Sequence, residues 1–328
     1  MTSWKLIPRL KRQSPRRMGS GQRHRMTFPD VSPVSMGGFA AARLAEFAYL
    51  NGSAVGRDAM SHSIPPLYDP DSCSPAFQLR FAWTGWASGG RFDQTLPELI
   101  EETRPAWETD GLRVLQHNWT SERIQILFSA TPDVSPLVVA TRAKGRLDHA
   151  IRTAGKTLPF SRKVSLRSVG DNTREDIEAY ISQQVSRTRF VDPRFAEMLS
   201  RFTTTAIDVE LSQAAETARG RYWFNLHVVL VTEERYRFKD EKSLQQLFDG
   251  VFRIATKKEH LISGLSVMPD HVHLALRPKI DEAPAQVARS YQNNRAYFLN
   301  RGRIWEDSFY VGTFGEYTMQ AIRRSASR

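Results

Sequence analysis

The chain has 328 residues, 41% of them hydrophobic, with 46 Lys and Arg against 35 Asp and Glu and a formal charge of +11. That length holds two domains of ordinary size, and the basic excess points to a polyanion partner, nucleic acid first. No apolar run nears the ~20 residues of a membrane span, and one cysteine, Cys73, excludes a disulfide framework and a cysteine-rich zinc site.

A reducing, cytoplasmic setting at the nucleoid is therefore expected, with no membrane partner. The first 28 residues carry eight Lys or Arg and no acid. They lack the apolar centre of a signal peptide and read as an arm that rests on phosphates. Gly37–Gly52 reads as one short helix, and 51–74, with Pro65, Pro66 and Pro70, as loop. Residues 1–74 are thus expected to be a basic arm and loop-rich segment.

Folded structure is expected from residue 75. FQLRFAW (Phe77–Trp83) and FNLHVVL (Phe224–Leu230) are both strand-like. About forty residues after each comes another strand, WTSERIQILFS (Trp119–Ser129) and VMPDHVHLALR (Val267–Arg277). At an offset of 148 residues these continue without a gap: Pro136 falls on Pro284, Val139 on Val287 and Ala140 on Ala288. Both then run into an amphipathic helix. After a three-residue gap, Ser165–Tyr180 lies on Tyr310–Ser325, with Gly170 on Gly315, Thr173 on Thr318 and Ile177 on Ile322. The pattern predicts an α+β chain with two copies of one domain, each strand–helix–strand–helix–strand–helix. The copies are placed at 75–190 and 222–328, with a helical linker over 191–221.

His271 and His273 are two apart on a strand, so they project from one face while Val272, Leu274 and Leu276 face a core. Two imidazoles on one face suit metal ligation. In the first copy NTREDIEAYISQQV opens with a capping-box-like Thr173–Asp176. Ile177, Ile181 and Val185 form a packing stripe, and Tyr180 and Gln184, four apart, share the next stripe.

VMPDHVHLAL resembles the HUH motif (His, hydrophobic, His) of the single-tyrosine transposases found in insertion-sequence-200-like and REP-associated elements. FNLHVVLVTEERYRF (Phe224–Phe238) resembles that family's opening strand, and IWEDSFYVGTFGEYTMQAIRRS (Ile304–Ser325) its last strand and helix start. The resemblance covers Tyr222–Arg328 directly and about 77–189 only through the repeat. It implies ferredoxin-like or RRM-like domains with antiparallel sheets, forming an intramolecular pseudo-dimer. It also implies single-stranded or hairpin DNA as partner, and Mg²⁺ or Mn²⁺ held by His271, His273 and a glutamine. Gln184 matches that glutamine, with Gln183 as the fallback, and Tyr180 matches the nucleophile that forms a 5′-phosphotyrosine.

The two copies depart from the family in complementary ways. The tyrosine position of the second copy is Ser325, and the histidine positions of the first are Arg123 and Gln125. One composite site, pairing Tyr180 and Gln184 with His271 and His273 within a monomer, is the expectation. Tyr317 or Tyr310 acting in cis is a weaker alternative, and a non-cleaving DNA-binding regulator is the alternative of another class. Arg123, Arg142, Lys144, Arg146, Arg289, Tyr291 and Arg295 are the candidate DNA contacts.

Overall fold

Phe81 and Trp83 alternate with less buried neighbours in Arg80–Ala87, and that period of two makes a strand with one apolar face. The computed structural model describes residues 66–156, 160–206, 209–298, 302–320 and 322. The expected basic arm, the Gly37–Gly52 helix, Ser325 and the Arg295 side chain lie outside the described residues.

In chain order the first half has β1 (Ser74–Gln78), β2 (Arg80–Ala87), α1 (Leu96–Thr109), β3 (Leu112–Trp119), β4 (Arg123–Ala130), α2 (Pro136–Thr153), β5 (Phe160–Ser168) and α3 (Arg174–Ser182). Then come α4 (Gln184–Arg187), α5 (Pro193–Ser200), β6 (Thr203–Thr205), β7 (Ala215–Thr217) and β8 (Gly220–Trp223). The second half has β9 (Asn225–Thr232), α6 (Glu241–Lys258), β10 (Leu261–Val267), β11 (His271–Arg277), α7 (Pro284–Phe298) and β12 (Trp305–Phe314). Two six-stranded sheets result, ordered β3-β4-β2-β5-β8-β7 and β1-β12-β9-β11-β10-β6. All neighbours are antiparallel except β1–β12 and β5–β8. Within the sheets, β3-β4-β2-β5 of the first and β10-β11-β9-β12 of the second have the ferredoxin-like order. Ile100, Trp107, Val139 and Leu147 of α1 and α2 join Phe81, Trp83, Ile126 and Phe128 in the core; Leu244, Val251, Val287 and Ala288 of α6 and α7 join Val228, Leu230, Val272 and Leu274. Among the described residues, no helix is long and apolar enough to cross a membrane.

The offset of 148 appears in the backbone. β4 and β11 begin at Arg123 and His271, and α2 and α7 at Pro136 and Pro284. Register shifts that skip Leu115 and Ser263 fall at the same offset. Each half is a strand–helix–strand–strand–helix–strand unit followed by a crossing segment, so the expected alternation omitted α1 and α6 and the hairpin strands β3 and β10. FQLRFAW is also not one strand. β1 ends at Gln78 and pairs with β12 of the other half, and β2 begins at Arg80. Phe81 pairs with Ser168 as Leu226 pairs with Thr313, so the true partner of β9 is β2.

Two further expectations are corrected. The 191–221 segment is not simply helical: after α5, β6 joins β10 and β7 joins β8, so it edges both sheets. Nor does folded structure wait until residue 75. Tyr68 is buried, its phenol oxygen accepts from the Ile304 and Trp305 amides at 2.8 and 2.7 Å, and its O–H donates to the Trp305 carbonyl.

The halves meet through reciprocal pairs of equivalent residues, the mark of an isologous contact. Gly170 bridges Thr318 as Thr173 bridges Gly315. The Arg174 amide donates to Gly315 O and the Met319 amide to Gly170 O, both at 2.9 Å. Ser168 Oγ donates to Phe314 O at 2.6 Å as Thr313 Oγ1 donates to Val169 O at 2.8 Å. At the other end, Leu137 N donates to Ile280 O and Ala285 N to Pro132 O, both at 2.9 Å. Those last two satisfy first-turn amides of α2 and α7 that have no partner within their own helix. A β-carbon on Gly170 would stand 2.6 Å from Thr313 O, and one on Gly315 would meet Ser168 O.

Tyr291, a candidate DNA contact in the sequence, is a core residue. It is fully buried, its hydroxyl lies 3.0 Å from His260 Nδ1, and His260 Nε2 lies 2.5 Å from Glu282 Oε2. Burial alone would raise the Glu282 carboxyl pKa; hydrogen bonds from His260 and Lys258 outweigh it and hold the value at about 2.

Two outcomes follow from this packing. Gly170→Ala and Gly315→Ala should each cost roughly 1–3 kcal/mol in denaturant unfolding, by similar amounts, because each opposes a backbone carbonyl. The Glu282 carboxylate contributes fully above its ordinary value of 4.5, and that contribution is lost as pH falls through about 2. Glu282→Gln should therefore flatten the fall in unfolding free energy across that window.

Candidate active site

The crossing at Gly170 sends α3 onto the second sheet. Thr173 and Asp176 form the expected capping box, with Thr173 N donating to Asp176 Oδ2 at 2.9 Å and Asp176 N to Thr173 Oγ1 at 3.2 Å. Arg174 anchors the same turn to Glu210 at 2.7 Å. Ile177 and Ile181 then pack on Ala275, Phe314 and Leu211. Gly264 and Ala275 keep the sheet low beneath them: a β-carbon on Gly264 would lie 3.4 Å from Ile181.

That seat brings Tyr180 to the histidines. Its ring stands edge-on to His273, with centroids 5.2 Å apart and planes at 88°. The Arg187 guanidinium lies over the Tyr180 ring, 5.2 Å from its centre. His271 and His273 are themselves 4.9 Å apart and nearly perpendicular.

A third imidazole, His227, completes the cluster and was missed in the sequence. It pairs with Ala275 while His273 pairs with Val229, so the two are diagonal neighbours on one face. Their rings stack at 5.4 Å, with His227 Nε2 3.2 Å from His273 Nδ1. The available signal was its place on a strand beside the HxH strand, which an isolated histidine does not reveal. Burial lowers the His227 pKa to about 4; burial, then the charges of His227 and His271, lowers that of His273 well below 6.5. Both are neutral near pH 7, with a lone pair on one nitrogen.

The donor chemistry suits a divalent cation. His271 Nδ1 lies 2.6 Å from Asp270 Oδ1, which fixes that nitrogen as the N–H and leaves Nε2 as acceptor. In the tautomer in which His273 Nδ1–H donates to His227 Nε2, its own Nε2 is in the same state. Gln184 is buried, and its Nε2 donates to the Tyr180 carbonyl at 3.0 Å, which leaves the amide oxygen as the donor atom of the pair. It does not share one unbroken helix with Tyr180, because Gln183 ends α3 at φ −93° and ψ 4°. Among the described residues, no group of three or more His, Cys, Asp or Glu side chains is arranged to hold a metal ion by itself, so the amide oxygen of Gln184 is the further donor that the two imidazoles would need.

The other tyrosines sit differently. Tyr317 is exposed and lines a cavity on the first sheet, away from the histidines. Tyr310 packs against His227 at 5.8 Å, and burial raises its phenol pKa, which disfavours the phenolate. Arg123 and Gln125 are exposed on β4. The remaining basic candidates are engaged within the fold. Arg146 grips Asp110 through two bonds of 2.9 and 3.0 Å, and Arg142 lies 3.7 Å from the same carboxylate. Lys144 donates to Ser161 O at 2.8 Å, and Arg289 reaches Asp133 at 3.3 Å. All four are on α2 or α7, the helices that cover the sheet faces opposite the tyrosine–histidine cluster.

No curated protein matches the chain. Similar solved structures include one described as a transposase of Deinococcus radiodurans R1, 22% identical, covering 34% of this chain and 96% of that one at a TM-score of 0.29. Another is a REP-associated tyrosine transposase bound to a REP hairpin, 12% identical, covering 31% of this chain and 61% of that one at a TM-score of 0.26. The family model described as Transposase IS200 like matches residues 221–324, which span β9 to β12 and carry His227, His271 and His273. The likeness to the IS200-like transposases is thus carried by the second half of the chain.

Proposed function

We propose that the chain cuts single-stranded or hairpin DNA and rejoins it through a 5′-phosphotyrosine on Tyr180. The observation that carries this reading is the seating of Tyr180, from the first half, against His273 of the second. Tyr180 Oη loses its proton and attacks phosphorus, an O–P bond forms, and the bond to the 3′ oxygen breaks, that oxygen taking up a proton to leave a 3′-OH, with no net proton change. Attack by another 3′-OH reverses the step, so no nucleotide cofactor is consumed. His271, His273 and the Gln184 amide oxygen would hold Mg²⁺ or Mn²⁺, which supplies Lewis-acid and template chemistry at the scissile phosphate. His227 and Asp270 are positioning residues that set the tautomers of the two ligands. Both halves of the site lie in one chain, so a monomer suffices.

Incubation with hairpin DNA and Mn²⁺ should give a covalent protein–DNA band that disappears in Tyr180→Phe, in His271→Ala and on chelation. A band that persists in Tyr180→Phe removes the assignment, and no band at all with retained DNA affinity favours a non-cleaving regulator. His227→Phe keeps a flat ring but loses Nε2. It should weaken Mn²⁺ binding, followed by electron paramagnetic resonance, by about ten-fold or more and leave the unfolding midpoint nearly unchanged.

A further inference from the structure

The reciprocal contacts map the tyrosine–histidine cluster onto a place on the first sheet, and a cavity of about 390 Å³ lies there, within the ~300–1,000 Å³ of small-ligand sites. Gln125 stands where His273 stands in the other half, and Ala82 where His227 stands. Exchanging an imidazole for a methyl opens space that the second sheet fills.

The floor is a polar row across three strands. Gln125 pairs with Thr84 on β2 and with Asn118 on β3. Asn118 Oδ1 already accepts from the Trp119 amide at 2.8 Å, so its NH₂ remains to donate. Gln125 Nε2 points to Thr84 Oγ1 at 3.5 Å, so its carbonyl oxygen remains to accept. A donor and an acceptor side by side match the edge of a nucleobase. Tyr317, 54% exposed, offers an aromatic face at the same cavity. Arg123, two residues before Gln125 on the same face and exposed, is suited to an adjacent phosphate. Among the described residues no carboxylate lines the cavity.

We propose that this cavity binds one unstacked base of a single-stranded DNA and holds that strand without cutting it. The inference rests on the DNA reading above, but it requires no chemistry at Tyr180. With Arg123 and Gln125 at the positions of the paired histidines and Ser325 at the tyrosine position, the site selects and retains a strand.

The test uses full-length Tyr180→Phe protein and a labelled DNA hairpin with a single-stranded flank, read by fluorescence anisotropy. Abasic sites are placed at each flank position in turn. One position should cost about ten-fold in affinity. That penalty should vanish in Asn118→Ala/Gln125→Ala and in Ala82→Phe, which fills the cavity without removing a polar group. Adduct yield at saturating DNA in the same variants with Tyr180 restored should be unchanged, which also shows that they fold. A flat abasic scan, or a penalty that survives both variants, overturns the proposal even if the Tyr180 adduct forms. A position-specific penalty lost in both variants sustains it even if no adduct forms, and absence of any DNA affinity overturns both readings.

Discussion

The close passage of two backbones at Gly170 and Gly315 governs the rest of the molecule. Each glycine faces a carbonyl of the opposite half, and each bridges a threonine that starts the other's crossing segment. With no β-carbon in the way, the chain leaving β5 can pass to the second sheet, and the chain leaving β12 to the first. Ile177 accordingly packs on Ala275 and Phe314, while Ile322 packs against Leu127 and Val169. β1 and β8 repeat the exchange on the entering side, each pairing in parallel with the last strand of the other half. Tyr180 reaches histidines encoded far downstream because this crossing seats α3 on the second sheet.

The exchange is symmetric but the two seats are not. On the second sheet Gly264 and Ala275 lie under α3, and the imidazoles beside them are neutral and bonded to one another. Burying them costs less than burying charge. On the first sheet Gln116 and Leu127 occupy the positions of Gly264 and Ala275, and Arg123 and Gln125 replace the histidines. A guanidinium beneath a close-packed helix would need a buried partner, and the face stays open and polar instead.

Much of this was legible because the repeat preserves spacing where backbone geometry demands it: the prolines that open α2 and α7, the crossing glycines, and the HxH strand. Features that depend on a distant partner were not. The Arg142, Lys144 and Arg146 stripe reads as a basic groove until Asp110 is found beside it. Tyr291 reads as a stacking residue until His260 closes on its hydroxyl. α1 and α6 escaped because they share little beyond amphipathic character, and α1 carries Pro105 within it. His227 escaped because one histidine in an apolar strand is ordinarily a core residue. Only the register of β9 against β11 gives it a role.

A single composite site of the kind proposed has a consequence for any strand-joining reaction. One tyrosine holds one covalent 5′ end at a time, so the incoming strand must be retained by other means until its 3′-OH arrives. A two-fold dimer with two working sites can tether both strands covalently. A chain that keeps one site needs either a second copy of itself or a non-covalent hold within reach. The first sheet occupies the symmetric position, keeps its own crossing contacts, and presents amides and arginine where ligands for a metal would otherwise stand. Under that proposal, a first sheet without chemistry is compatible with selection for binding, because one exchange fixes the distance and orientation of both faces.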